Sequence, residues 1–580
     1  MKLFKNLTKK DYIYAFISFI LIIVQVALEL KMPDFMSKVT ILVQSDGSKL
    51  NEILLNGFHM MLCAFGSLIS TIIVGYLVAS ISASFSLITR KKLFEKVENL
   101  SLGEIKKFNV SSLITRTTND ITQIEMLIAM GLMLLVKAPI TAIWAVSKIL
   151  NKNITWSMAT LISVVFLLIV VAILTIIVVP KFKIVQKLTD KLNGVTRENL
   201  TGIRVVRAFN AQKYQQEKFD KVNTDLTNMQ LFNQRTFSIM QPFMFLTMHT
   251  LALLIYFIGA LLIKDSILSV KISLFGDMVV FSSYAIQVII SFLMLAIIFM
   301  ILPRASVSIK RINEVLDEEI TIKDGNITNS KEKGTIEFKN VSFKYPDADE
   351  YILEDISFKV NKGETVAFIG STGSGKSTLI NLIPRFYDAT KGEILVDNIN
   401  VKEYKLKSLY EKIGYVSQKA VIFDGTIKDN VSFGNKANED IIKKSTEVSL
   451  AKEFIEKLDD KYDSHIASSG TNISGGQKQR LSIARAIARD PEIFIFDDSF
   501  SALDYKTDSL LRKNLKKYTK DSTILIVAQR IGTIMNADKI IVLDEGKCVG
   551  MGTHKELLKT CEIYKQIALS QITKEELENA

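Results

Sequence analysis

Apolar and polar residues follow one another along this chain in two textures. In the first half, charge-poor apolar stretches lie near residues 12 to 30, 58 to 80, 130 to 150, 156 to 179, 243 to 263 and 276 to 302. Each is long enough to cross a hydrocarbon core of about 30 Å as a helix. A soluble core can hide one such stretch, but six with so few charges require lipid, so six crossings are predicted. From about Thr335 the pattern changes to short β-rich runs at Ile336 to Phe338, Ile352 to Leu353, Thr365 to Ile369, Ile493 to Phe496 and Thr523 to Val527. Helical segments and glycine turns separate them, which predicts an α/β domain. The expected fold class is an all-α membrane domain of six helices (1-316) joined by a charged linker (317-334) to an α/β domain (335-580).

The charges between the apolar stretches set the orientation. Lys5, Lys9 and Lys10 precede the first, and Arg90, Lys91, Lys92, Lys106 and Lys107 lie between the second and third. Lys181, Lys183, Lys187, Lys191, Arg204 and Arg207 lie between the fourth and fifth, and Arg304, Lys310 and Arg311 follow the sixth. Basic residues stay on the cytoplasmic side, so a multi-pass protein of the cell membrane with both termini cytoplasmic is expected. The loops near 81 to 129 and 180 to 242 are long, charged and free of internal proline, which suits helices that run on past the bilayer toward the α/β domain.

Composition agrees: 48% of the 580 residues are hydrophobic, too many for a wholly soluble protein. The net charge of +12 collects beside the apolar spans, so anionic lipid headgroups rather than nucleic acid are the expected partner. Cys63, Cys548 and Cys561 are scattered without a C-x-x-C pair, so neither a disulfide nor a zinc site is expected. No small-residue cleavage site follows the first apolar stretch, which is expected to remain as an anchor.

The chemistry concentrates in the second half. Gly370, Ser371, Thr372, Gly373, Ser374, Gly375, Lys376 and Ser377 match G-x-x-x-x-G-K-[ST], with Thr378 next, between a β-type run and a helical one. Glycines let successive backbone N–H groups turn toward phosphate oxygens, and the helix start adds partial positive charge. Lys376 is placed to reach β and γ phosphates, and the Ser377 hydroxyl to ligate Mg2+. The run Ile493 to Phe496 delivers Asp497 as a second Mg2+ ligand. Ser474, Gly475, Gly476 and Gln477 open another helix; as a second anion site or a plain N-cap with a flexible loop they are equally readable.

The ordered set of Tyr345, Gly370 to Thr378, Tyr415-Val-Ser-Gln418, Ser474 to Gln477, Asp497 and Ser501-Ala-Leu-Asp504 resembles an ATP-binding cassette over some 245 C-terminal residues. With six spans ahead of it, the chain resembles an exporter half-transporter whose α/β part is a P-loop nucleotide-binding domain. The resemblance implies a dimer with two ATP molecules, each held between one subunit's phosphate loop and the other's signature loop. Tyr345 would stack on adenine, Gln418 would touch Mg2+ and sense the membrane domain, and Asp504 would communicate across the dimer. Phe108 to Asp120 and Glu198 to Phe219 look like the family's coupling regions.

Departures from the family pattern are informative. The family's glutamate that polarises the attacking water is Asp498 here, one methylene shorter, and its switch histidine is Gln529, which can donate a hydrogen bond to the γ-phosphate but carries no proton charge. A base must lie within about 2.6 to 3.2 Å of its water, so hydrolysis at this site is expected to be slow. Ser468 also stands where the family often has a glutamate. The signature is intact apart from Ile473. A heterodimer follows as the expectation: this chain binds ATP at a degenerate site and completes a hydrolytic site on a second half-transporter. An ATP-gated channel or regulatory subunit, and a homodimeric lipid flippase, are the alternatives. Gln25, Glu29, Lys137, His249 and Gln287 within the spans are the clues to cargo, expected to be an amphiphilic small molecule or a lipid.

Overall fold

The computed structural model describes residues 3, 6–45, 50–150, 154–264, 268–434 and 437–571. Lys5 and residues 151–153 lie outside these, as do the side chains of Lys183 and Arg304. The chain forms two compact units, residues 1–98 with 111–317 and residues 99–110 with 318–580.

In chain order the helices of the first half are α1 (Lys9–Gln44), α2 (Leu50–Glu98), α3 (Leu102–Phe108), α4 (Val110–Thr115), α5 (Ile121–Leu150), α6 (Ile154–Thr201), α7 (Ile203–Ala208), α8 (Gln212–Ser238), α9 (Met240–Lys264) and α10 (Leu268–Leu316). Among the described residues, six helical runs are long and apolar enough to cross a membrane. They overrun the predicted spans: α2 continues to Glu98, α6 to Thr201 and α10 to Leu316, so the charged loops are largely helical continuations. The helix is interrupted at residues 99–101, at Asn109 and at residues 209–211, and it takes a π-turn at Arg116–Asp120 between α4 and α5. The start of α1 is fixed by reciprocal bonds, the Asp11 amide donating to the Thr8 hydroxyl and the Thr8 amide to the Asp11 carboxylate.

Ile22, Val26, Val78, Trp156, Leu251, Phe281 and Tyr284 pack into the core of this first unit. Phe65, Leu68, Ile72, Ile143, Ile176, Leu253 and Phe257 stay exposed on its outside. An apolar exterior wrapped around an apolar core is what lipid solvation demands. The unit is therefore a helical multi-pass membrane domain.

The second unit is built on strands β1 (Ile336–Phe343), β2 (Leu353–Val360), β3 (Thr365–Gly370), β4 (Lys391–Val396), β5 (Ile399–Asn400), β6 (Ile413–Val416), β7 (Gly425–Thr426), β8 (His465–Ile466), β9 (Ile493–Asp497), β10 (Thr523–Val527), β11 (Lys539–Asp544) and β12 (Lys547–Gly552). The main sheet runs β12-β11-β3-β10-β9-β6, and a smaller one runs β2-β1-β4-β5. From β11 to β6 the pairing is parallel. Alternate residues feed opposite faces: Val366, Phe368, Ile495 and Leu525 join one core cluster, whereas Ala367, Ile369, Phe494, Phe496 and Ile526 join the other. A parallel sheet covered on both faces explains why these strands read as unbroken apolar runs.

Parallel register also places the chemistry. β3, β6, β9 and β10 all end on the same edge, and the residues following them are the phosphate loop, Gln418, Asp498 and Gln529. Ligands of open α/β sheets bind beyond the carboxyl ends of the strands.

Candidate functional site

The loop after β3 closes at Gly375, which has φ +93° and precedes α11 (Lys376–Leu382). A Cβ there would lie 2.7 Å from Leu353 Cδ2 and 3.1 Å from the Ile352 carbonyl, so both the backbone and the space require glycine. Lys376 Nζ donates to the carbonyls of Gly370 and Ser371 at 2.9 and 2.6 Å and to Ser374 Oγ at 3.3 Å. Burial pushes its pKa below the ordinary lysine value, opposed by the nearby carboxylates of Asp498 and Asp497. The ammonium is thus held over the loop by neutral local acceptors, which a phosphate with its negative charge can replace.

Ser377 Oγ donates to Asp497 Oδ1 at 2.8 Å, joining the two predicted metal ligands across β3 and β9. The Ser377 hydroxyl and the Asp497 carboxylate are both hard oxygen donors, which suit Mg2+. Among the described residues no group of three or more His, Cys, Asp or Glu side chains is placed to hold a metal. One carboxylate and one hydroxyl fit an ion whose remaining ligands are nucleotide phosphates and water.

Asp498 sits at φ +47°, a left-handed conformation uncommon for a non-glycine residue, with its amide donating to the Val527 carbonyl at 3.0 Å. Its Oδ2 accepts two amide hydrogens, from Gln418 Nε2 at 3.2 Å and Gln529 Nε2 at 2.9 Å. Burial raises the pKa of both Asp497 and Asp498 above the ordinary aspartate value. The structure therefore gathers Gly370 to Thr378, Gln418, Asp497, Asp498 and Gln529 at one edge. Tyr345 reaches the same place, its hydroxyl 3.0 Å from Thr378 Oγ1.

A second cluster forms elsewhere in the unit. Ser474 caps the helix Gly475–Ile487, its hydroxyl accepting from the Gln477 amide while the Gln477 side chain accepts from the Ser474 amide. Gly476 lies against Ala502 and Leu503, and Asp504 caps the helix Tyr505–Tyr518 through Thr507. Among the described residues no hydrogen bond joins this cluster to the phosphate loop.

Residues 353–501 match the family model described as ABC transporter, and residues 15–310 match the one described as ABC transporter transmembrane region. This chain is an ABC transporter. An uncharacterized ABC transporter ATP-binding protein of Mycobacterium tuberculosis is 37% identical over 520 residues, covering 88% of this chain and 87% of the relative. One of Bacillus subtilis is 35% identical over 570 residues, covering 96% of each. A putative multidrug export ATP-binding/permease protein of Staphylococcus aureus is 33% identical over 492 residues, covering 82% of each. A bacterial Atm1-family ABC exporter solved with ATP bound shares the fold, at a TM-score of 0.82 and 21% identity over 97% of this chain and 98% of the other. The ATP-binding domain makes the transporter a transport ATPase.

In the membrane domain of this ABC transporter Gln25, Glu29 and Lys137 meet one another. Glu29 Oε1 accepts from Lys137 Nζ at 2.9 Å, Gln25 Nε2 at 2.9 Å and Ser67 Oγ at 3.1 Å. Lys137 meets a carboxylate instead of snorkelling to the lipid surface. His249 stacks on Phe245, and among the described residues the buried Oε1 of Gln287 has no hydrogen-bond partner. Sequence reasoning missed the neighbouring group, in which Asp34 pairs with Lys148 at 2.8 Å and accepts from the Tyr284 hydroxyl at 2.7 Å. A carboxylate on α1 and a lysine on α5 at matching heights were a usable signal, but only once the helices were known to pack side by side.

Proposed function

We propose that this ABC transporter is one half of a heterodimeric exporter that moves amphiphilic small molecules or lipids out of the cytoplasm or the inner leaflet. Its own ATP site turns over slowly, and its signature loop completes the hydrolytic site of a second half-transporter. The observation that carries this reading is the pair of glutamine amides on Asp498 Oδ2. A short carboxylate with one oxygen already engaged is a poor general base, because the attacking water is left with one remaining oxygen on a shortened arm. In the same chain the phosphate loop and the signature helix start retain their geometry.

In this reading Tyr345 stacks on adenine, and Lys376 with the backbone of Gly370 to Thr378 holds the phosphates. Ser377, Gln418 and Asp497 hold Mg2+, which supplies charge neutralisation at the β and γ phosphates. Asp498 orients water and Gln529 donates to the γ-phosphate. Ser474, Gly475, Gly476, Gln477 and Asp504 face the partner's ATP. Gly475 supports that assignment, since a Cβ there would meet nothing within 4 Å in its own chain. Glycine is not needed for packing at that position, but it is compatible with close approach from outside. The exposed Val205 and Phe209 around α7 offer apolar surface for a second chain. In this reading both termini lie in the cytoplasm, which the basic loops support, and the putative multidrug export relative supports an amphiphilic cargo.

The test is co-expression with a neighbouring half-transporter, copurification, and ATPase and uptake measurements in vesicles. The expected result is a one-to-one complex whose hydrolysis depends on the partner's catalytic carboxylate and on Ser474. Robust hydrolysis by this chain alone would favour the homodimeric flippase, and flux that never exceeds the gradient would favour the ATP-gated channel.

A further inference from the structure

The helix α3 is the tip of the loop between α2 and α5, yet it packs as part of the ATP-binding unit. Three contacts fix it there. Glu104 accepts from the Thr321 amide at 3.0 Å and from the Thr321 hydroxyl, and it also accepts from the Ser101 amide at 2.6 Å. Lys107 Nζ lies 2.6 Å from Glu318 Oε1. Gly103 sits so close to Pro346 and Tyr387 that an added Cβ would be 3.7 and 3.8 Å from their side chains.

Lys106 behaves unlike its neighbour Lys107. Among the described residues no carboxylate pairs with it; its Nζ instead stands 4.9 Å from the centre of the Tyr345 ring and 5.6 Å from that of Tyr387. The Tyr345 ring is held on its other sides as well. Phe343 and Tyr387 meet it edge-to-face, with centroids 5.0 and 5.3 Å away, and its hydroxyl ends on Thr378 Oγ1. A continuous line of contact therefore runs from α3 through Lys106 and Tyr345 to the residue next to the metal-ligating Ser377.

We propose that Lys106 is a positioning residue for the nucleobase: carried in by α3, its ammonium fixes the Tyr345 ring in the orientation that stacks on adenine. This rests on the reading of Tyr345 as the adenine platform. A lysine over an aromatic face is attracted by the ring quadrupole, and tyrosine is a good partner for it. Mobile aromatic platforms pay ordering entropy on stacking, so a ring already clamped by a cation binds the base more tightly. Affinity for adenine, but not for the phosphates, then depends on α3 being docked. The loop of the membrane domain would influence ATP binding through one side chain.

The experiment uses the full-length chain, copurified with its partner half, and measures displacement of a fluorescent ATP analogue by ATP and by inorganic tripolyphosphate. Lys106→Met keeps the apolar stem and removes the charge. It is expected to weaken ATP about two- to fivefold, the range of an exposed cation–π contact, and to leave tripolyphosphate unchanged. Lys106→Arg is expected to restore ATP affinity, and adding Lys106→Met to Tyr345→Ala is expected to cost nothing more. Unchanged tripolyphosphate affinity also shows that the variant is folded around its phosphate loop. Equal weakening of both ligands, unchanged ATP affinity or tighter ATP binding in Lys106→Met would each overturn the proposal. If Tyr345→Ala leaves the ratio of ATP to tripolyphosphate affinity unchanged, the platform reading itself fails, a result distinct from failure at Lys106.

Discussion

Replacing Asp498 by glutamate tests how far side-chain reach limits this site. The aspartate is tied down at one oxygen by amides 3.2 and 2.9 Å away, on a backbone held by the Val527 carbonyl. It cannot move toward a water without giving up those bonds. One added methylene extends the carboxylate by about 1.5 Å. A misplacement of about 1 Å costs on the order of a hundredfold in rate, or about 2.7 kcal/mol of barrier. Gln529 retains part of this penalty, because its amide can follow and continue to engage the longer side chain. Asp498→Glu alone is therefore expected to raise turnover at this site about tenfold, and Asp498→Glu with Gln529→His about a hundredfold. The assay is phosphate release in vesicles from a complex whose partner carries its catalytic carboxylate as the amide, so that only this chain's site contributes. If both variants bind ATP normally and stay within about threefold of the parent rate, reach and charge at these two positions do not limit hydrolysis, and the reasoning is refuted.

Two further perturbations probe the supporting structure. Burial pushes the Glu104 carboxyl up, but the hydroxyl and amide of Thr321 and the amide of Ser101 hold it below the ordinary glutamate value. A depressed folded-state pKa contributes stability that is fully present above the ordinary value and is lost as pH falls through the lowered one, so hydrogen-exchange protection of residues 101–108 should fade only in that acid window. Glu104→Gln should remove this pH dependence. In the membrane domain, Lys137→Met takes the cationic partner from Glu29 and leaves it, among the described residues, Gln25 and Ser67 as donors; because the pair is partly exposed the cost should be about 1 to 3 kcal/mol, less than for a fully buried pair, read as a lowered midpoint of thermal aggregation in detergent. Adding Glu29→Gln should recover most of that loss, because the uncompensated charge is gone.

What could be read in advance depended on how local each feature is. The strand, loop and helix around Gly370 to Ser377 and the strand ending at Asp497 were legible because an eight-position motif and an apolar run carry their own geometry. Gln418, Asp498 and Gln529 were expected at one site only through the family resemblance; the structure supplies the physical reason, since parallel strands deliver their C-terminal residues to one edge. The six spans were legible from length and hydropathy, although their ends were not: α2 and α6 run on to Glu98 and Thr201 because charged residues form helix as readily as apolar ones do, so the hydropathy edge marks the limit of lipid and not of the helix.

The contacts that escaped the sequence are those made by side chains distant along the chain. Nothing local to Lys106 distinguishes it from Lys107; one meets Tyr345, 239 positions away by the numbering, and the other meets Glu318, according to how α3 lands on its unit. Asp34 likewise looks like a helix-end carboxylate until Lys148 and Tyr284 are brought against it. Such groups come together only after apolar packing has fixed which helix faces meet. Once there, a charge away from water must be paired, at a cost of several kcal/mol if it is not. The polar contacts are therefore consequences of the packing that then make it specific. Separating α1 from α5 would part Glu29 from Lys137 and Asp34 from Lys148, which costs least where water replaces the lost partners.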